Sequence, residues 1–200
     1  KVNPATITVT AEAKTKTYGD ADPALTYTNG NGVKEEVPSF TGELSREAGE
    51  DVGDYGIQQN TVALADNEES GFKAGNYVIA YTPNKLTISA NGELTVAGTS
   101  YEGTYDGESH GDAAITNVTD GTIISYSTDG GKTWSTEVPK VTDVSEITVN
   151  VKAENPNYVT ATGSYTLKVN PATITVTAEA KTKTYGEADP ALTYTNGNGV

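Results

Sequence analysis

Hydrophobic positions along this chain recur with a period of two. Thr6-Ile7-Thr8-Val9-Thr10-Ala11-Glu12-Ala13 puts Ile7, Val9, Ala11 and Ala13 on one face and Thr6, Thr8, Thr10 and Glu12 on the other, the pattern of a half-buried strand. The β-branched Thr, Val and Ile are stiff at χ1 and suit a pleated surface. The pattern returns at Tyr77–Tyr81, Lys85–Ile88 and Ile123–Tyr126. In Glu146–Ala153 the inward residues are Ile147, Val149, Val151 and Ala153, and in a last strand Tyr165 and Leu167 face in. Turn-forming clusters separate these runs, at Asn29-Gly30-Asn31-Gly32, Asp129-Gly130-Gly131 and Asn155-Pro156-Asn157. Leu44–Glu50 could form one helical turn but reads better as a cap on a strand junction. Many short strands between regular turns predict an all-β chain of small sandwiches.

An internal repeat sets the domain plan. Val2–Val33 returns as Val169–Val200, 167 positions later, with Asp20 against Glu187 as the one difference. A period of that length exceeds the roughly 20–50 residues of a solenoid repeat, so it is read as two domains per period. The turn cluster Ser89-Ala90-Asn91-Gly92 marks the division. The predicted domains are residues 1–90, 91–168 and an incomplete third, 169–200, that repeats 2–33. The join Tyr165–Ile174 has no Gly/Ser-rich linker, which predicts β-sandwich domains arranged head to tail as a rod.

Composition narrows the setting. Of 200 residues, Asp and Glu number 27 and Lys and Arg 13, a net charge of −14. That field repels nucleic acid and anionic lipid, so neither nucleic-acid binding nor membrane insertion is expected. Cysteine is absent, which excludes disulfides, thiolate metal sites and cysteine nucleophiles. A secreted-type β repeat without disulfides points to bacteria. The chain starts at Lys1 inside a strand-like pattern, and it is read as a fragment of a longer protein. Tyr is the main aromatic, with 12 Tyr against 2 Phe and 1 Trp; Tyr suits thin cores in which each ring keeps one wet end.

The first domain carries Lys16-Thr17-Tyr18-Gly19-Asp20-Ala21-Asp22-Pro23-Ala24-Leu25-Thr26-Tyr27, then Phe40–Glu50, Val52-Gly53-Asp54-Tyr55-Gly56-Ile57 and Gly75-Asn76-Tyr77-Val78-Ile79. This order resembles the YGX-type MBG repeats of large bacterial surface and adhesin proteins. The second domain carries Tyr105-Asp106-Gly107, Tyr126–Trp134 and Asn155-Pro156-Asn157-Tyr158. It is similar to the Ig-like repeats that accompany MBG domains. The resemblance implies tandem Ig-like/MBG sandwiches displayed on the bacterial cell surface or cell wall, a role in adhesion, and no catalytic residues.

The candidate chemistry is sparse. Ser127-Thr128-Asp129-Gly130-Gly131-Lys132-Thr133-Trp134 fits the Asp-box pattern S-x-D-x-G-x-x-W, a turn in which Asp129 caps backbone N–H groups and Gly131 takes positive φ. Against that structural reading stands a carbohydrate platform, with Trp134, Tyr126 and Tyr105 as stacking rings and Tyr101 and Tyr158 as further candidates. No cofactor is expected; the alternative weighed is Ca2+, with Asp20 and Asp22 as the candidate acidic pair, a cation that asks for about 6–8 oxygens. Arg46, the only arginine, lies among Glu43, Glu47 and Glu50 and reads as an ion-pair anchor. His110 is the only histidine and cannot build a usual zinc site. Ser109 beside it is too local for a hydrolase dyad. A Lys–Asn isopeptide bond, for which Lys152 and Asn150 are available, has no signature to fix it.

Two functions remain open. One is a structural stalk that spaces a binding head from the cell, its partners being neighbouring repeats of the same protein. The other is a multivalent repeat that binds host glycan or mucin by avidity. An enzyme is not expected. Residues 169–200, alone, would expose β edges, so they are expected to be poorly ordered or paired with another chain, including a strand swap that replaces residues 2–33 of a neighbour.

Overall fold

The computed structural model describes residues 2–197 and is all-β apart from two single turns of 3-10 helix at Val33–Glu35 and Ala74–Asn76. It divides into two compact units, the first running through Glu93 with Asn155–Val159, the second holding Leu94–Glu154 and the residues from Thr160 onward.

The first unit contains β1 (Ala5–Ala11), β2 (Lys14–Thr17), β3 (Tyr27–Asn29), β4 (Ser39–Thr41), β5 (Ser45–Arg46), β6 (Gly53–Gln58), β7 (Ala63–Ala65), β8 (Tyr77–Thr82) and β9 (Asn84–Ser89). They form a three-stranded sheet β3-β1-β8, a four-stranded sheet β2-β9-β6-β5 and a two-stranded ribbon β4-β7. The alternation in Thr6–Ala11 holds, and Ile7, Val9 and Ala11 are buried. It fails at Ala13, which is exposed, because the chain leaves the first sheet after Ala11 and joins the second at Lys14 as β2. The pair β8–β9 makes the same change of sheet. β1 therefore runs parallel to β8, with Ile7 opposite Ile79, and β2 parallel to β9, with Lys16 opposite Ile88. Ile7, Val9, Phe72 and Tyr77 form a core cluster against which Tyr27, Phe40, Leu64 and Tyr81 pack. Phe72 and Tyr77 are stacked at 4.6 Å between centroids. Leu44–Glu50 holds the short strand β5 rather than a helical turn.

The second unit contains β10 (Val96–Ala97), β11 (Tyr101–Thr104), β12 (Ile115–Thr116), β13 (Ile123–Ser127), β14 (Ser145–Glu154), β15 (Ala161–Asn170), β16 (Val176–Ala178) and β17 (Tyr194–Asn196). Its main sheet is β11-β15-β14-β13, accompanied by the pairs β10-β12 and β16-β17. The ten-residue strands β14 and β15 alternate as the sequence predicts, with Val149, Val151, Ala153, Tyr165, Leu167 and Val169 buried. Tyr126, Ala114 and Val141 complete the cluster. Gly98 lies against the ring of Tyr165: a Cβ there would stand 2.7 Å from Cγ and closer still to Cδ1 and Cε1. β11 runs parallel to β15, with Tyr101 opposite Leu167. In both units, then, an early strand is the parallel neighbour of a late one.

Candidate functional site: the Asp129–Trp134 turn and the Lys16–Arg46 ion network

The turn after β13 is closed from within. Ser127 Oγ donates to Asp129 Oδ1 at 2.7 Å and accepts from Gly131 N at 2.8 Å. Asp129 Oδ1 also accepts from Lys132 N and Thr133 N, both at 3.0 Å, while Oδ2 accepts from Thr133 Oγ1 at 2.7 Å. These donors stabilise the ionised carboxyl, and hold Asp129 well below the usual carboxylate range, the Thr133 hydroxyl first among them. Gly130 and Gly131 adopt φ of 77° and 87°, which a side chain would resist. Trp134 folds back over the turn, its Nε1 donating to Gly131 O at 3.1 Å.

Trp134 stays 39% exposed. Shallow grooves of about 400 and 480 Å3 flank it, one lined by Thr128, Thr133 and Glu137, the other by Asn150, Thr162 and Ser164. The Lys152 ammonium sits 4.9 Å from the ring centroid and pairs with Glu154 at 2.9 Å. A cation in that position is drawn to the π-face. Lys152 is thus held by Glu154 and Trp134, an arrangement that does not direct it to Asn150 for an isopeptide bond.

The other expected stacking rings are placed differently. Tyr126 is buried, with its hydroxyl accepting from Ala114 N at 2.9 Å. A ring sunk in the core offers no face to a sugar, so the expectation for Tyr126 is corrected. Tyr105 is half-buried and packs on the same core, leaving it a flank rather than a platform. Tyr101 is stacked on His110 with centroids 4.0 Å apart, and Tyr158 is half-buried. His110 Nε2 lies 3.0 Å from Asp106 Oδ1, a local pair within one loop.

Asp20 and Asp22 do not form a cation site. Asp22 accepts from Arg46 Nε at 2.6 Å and Nη2 at 3.1 Å and from Lys16 Nζ at 2.7 Å, so two cations already occupy its oxygens. Asp20 turns away, its carbonyl accepting from Lys16 Nζ at 3.1 Å and its carboxylate from Thr17 N at 3.3 Å. Among the described residues, no group of three or more His, Cys, Asp or Glu side chains is placed to hold a metal ion.

What the sequence does not disclose is the full network. Lys16, buried at the end of β2, also pairs with Glu50, and Arg46 bridges Glu50 as well as Asp22. The Arg46 guanidinium, with help from Lys16, pulls Asp22 down to about 2. Asp22, then Glu50, raises Lys16. Condensation of Lys16 with Asp22 to an amide would need a neutral amine and a neutral acid; the network stabilises both ions instead. Arg46 is the ion-pair anchor its acidic neighbours suggest, but its main partner is 24 residues away. No local spacing marks that contact.

Residues 7–87 and 174–200 match the family model described as "MBG domain (YGX type)". No curated protein matches the chain. Among solved structures, the chain is similar to the extracellular cadherin domains 1–4 of protocadherin gamma B7, at 10% identity and a TM-score of 0.31, over 92% of this chain and 56% of that one. The chain thus spans little more than half of that structure's length.

Proposed function

This chain belongs to the MBG domain (YGX type) family, and on that footing we propose that it is a load-bearing spacer repeat of a bacterial cell-surface adhesin, holding a binding head away from the cell. MBG domains are non-catalytic modules of surface proteins. No helix among the described residues is long and apolar enough to cross a membrane.

The observation that carries the reading is the parallel pairing of early with late strands. In the first unit β1 and β2 lie beside β8 and β9; in the second β11 lies beside β15. When two neighbouring strands run parallel, the start of one and the end of the other lie at opposite ends of the ladder. Tension along the chain then loads all the ladder hydrogen bonds together, in shear. An antiparallel pair pulled from the same end opens one bond at a time. Each bond contributes only about 0.5–1.5 kcal/mol, so rupturing them together rather than in turn sets how much tension a unit withstands.

The test is single-molecule stretching of a tandem array. Between Ala5 and Ser89 the first unit releases about 85 residues and between Val96 and Asn170 the second about 75, or ~290 and ~255 Å of extended chain at ~3.4 Å per residue. Two interleaved length increments, each preceded by a distinct force peak, are expected. Extension without force peaks would refute a load-bearing role.

A second reading is favoured by one observation, the half-exposed ring of Trp134 between two shallow grooves. Under it the repeats themselves bind mucin glycans through many weak sites. Trp134 is the only tryptophan, so its fluorescence reports this site alone. Quenching by glycan, with retention on mucin that climbs with repeat number, would move adhesion from a terminal head to the repeat.

A further inference from the structure

The main sheet of the second unit turns a polar face away from its core. Across β13, β14 and β15, Ser127 lies opposite Asn150 and Asn150 opposite Ser164; Ser125 lies opposite Lys152 and Lys152 opposite Thr162. The alternation that buries Tyr126, Val149, Val151 and Tyr165 puts these residues on the other side. Ser125 and Ser127 are covered there, whereas Asn150 and Lys152 are half-buried and Thr162 and Ser164 are exposed. Trp134 stands beside the open part of this face. With Asn150, Thr162, Ser164, Gly130 and Gly131 it lines the groove of about 480 Å3. The Nε1 bond to Gly131 O and the Lys152 ammonium over the ring hold the indole in place.

The geometry points to a neutral sugar as the ligand of this groove, a hexose or N-acetylhexosamine residue rather than a sialylated or sulfated one. The inference rests on the second reading of function, in which the repeats bind glycan. A pyranose has a face of C–H groups that packs on an indole and a rim of hydroxyls that donate and accept. Trp134 supplies the apolar surface. The Asn150 amide and the Thr162 and Ser164 hydroxyls supply uncharged donors and acceptors. An anionic sugar calls instead for an unspent cation. Lys152, the cation over the ring, is already matched by Glu154 at 2.9 Å. Asp129 spends its oxygens on Ser127, Lys132 and Thr133, so it does not compete for sugar hydroxyls, yet its charge repels a second carboxylate. The net charge of −14 acts in the same direction.

The experiment titrates the full chain with N-acetyllactosamine and with its sialylated form, following Trp134 fluorescence, and measures retention on immobilised mucin before and after sialidase. The expected result is quenching by the neutral sugar at concentrations several-fold below those its sialylated form requires, and retention that rises after sialidase. Asn150→Ala should weaken the neutral sugar by about 2–10-fold, the worth of one hydrogen bond, with the urea midpoint unchanged. Glu154→Gln leaves Lys152 unmatched and should narrow the preference for the neutral form. Equal or tighter binding of the sialylated form, or a preference unmoved by Glu154→Gln, would overturn the neutral ligand and leave glycan binding itself standing. Full affinity in Asn150→Ala would overturn this groove as the site. No quenching by either sugar and no retention on either mucin would remove the glycan reading as well.

Discussion

Replacing Gly98 with alanine tests how tightly the second unit is packed. The new methyl would stand 2.7 Å from Tyr165 Cγ and nearer to two other ring carbons, where carbon atoms normally keep about 3.5–4.0 Å. The ring must retreat by about 1 Å or more, yet it is buried among Val149, Val151 and Leu167. Overpacking of this kind costs about 1–3 kcal/mol. A unit of this size has a urea m-value near ~1 kcal/mol/M, so the midpoint should fall by about 1–3 M. Trp134 is the only tryptophan and lies in the second unit, so its fluorescence follows that unit's unfolding without interference from the first. In a Tyr165→Leu background the ring is gone, and the same glycine substitution should cost much less. The resulting coupling identifies the clash as the cause. A midpoint unmoved by Gly98→Ala, or an equal drop in both backgrounds, would refute this packing.

Two further outcomes follow from the fold. Ile7→Ala should destabilise the first unit by about 2–5 kcal/mol, whereas Ile174→Ala, the same change in the exposed copy, should stay within about 0.5 kcal/mol at low protein concentration; hydrogen exchange of β8 amides separates the two, and equal effects would contradict the difference in burial. Asp22 is held at about 2 in the folded chain, chiefly by Arg46, below an unfolded value near ~3.9. Its contribution is therefore complete above about pH 4 and disappears as pH falls towards 2. The first unit's urea midpoint should drop across that window, and less so in Asp22→Asn, which removes the titrating group; an identical acid response in both would refute the assignment.

Strand positions were legible wherever one face is buried and the other wet. Ile7, Val9 and Ala11, and the long runs in β14 and β15, show it. Ala13 was misread because alternation does not register a chain changing sheets: the period continues through Glu12 while the backbone leaves for a new partner. The Asp129 turn was legible because its bonds all fall within eight consecutive residues. Tyr126 was not, since an aromatic ring next to a turn motif looks alike whether it faces solvent or core. The Lys16–Asp22–Arg46–Glu50 network and the parallel pairing of β1 with β8 depend on contacts dozens of residues apart, and no periodicity carries that information.

The near-identity of residues 2–33 and 169–200 also bears on how such a chain is made. A second copy of the β1 segment close behind the first would compete for the same β8 and β9. Here the copies begin 167 residues apart, with an unlike unit between them. At about 5–20 residues per second, synthesis separates them by roughly 10–30 s, while small β domains fold in milliseconds to seconds. By the time the rival emerges, the first unit has closed on its own strands. Alternating two unlike modules thus acts as a timer, letting near-identical sequences recur along one polypeptide without mispairing during translation.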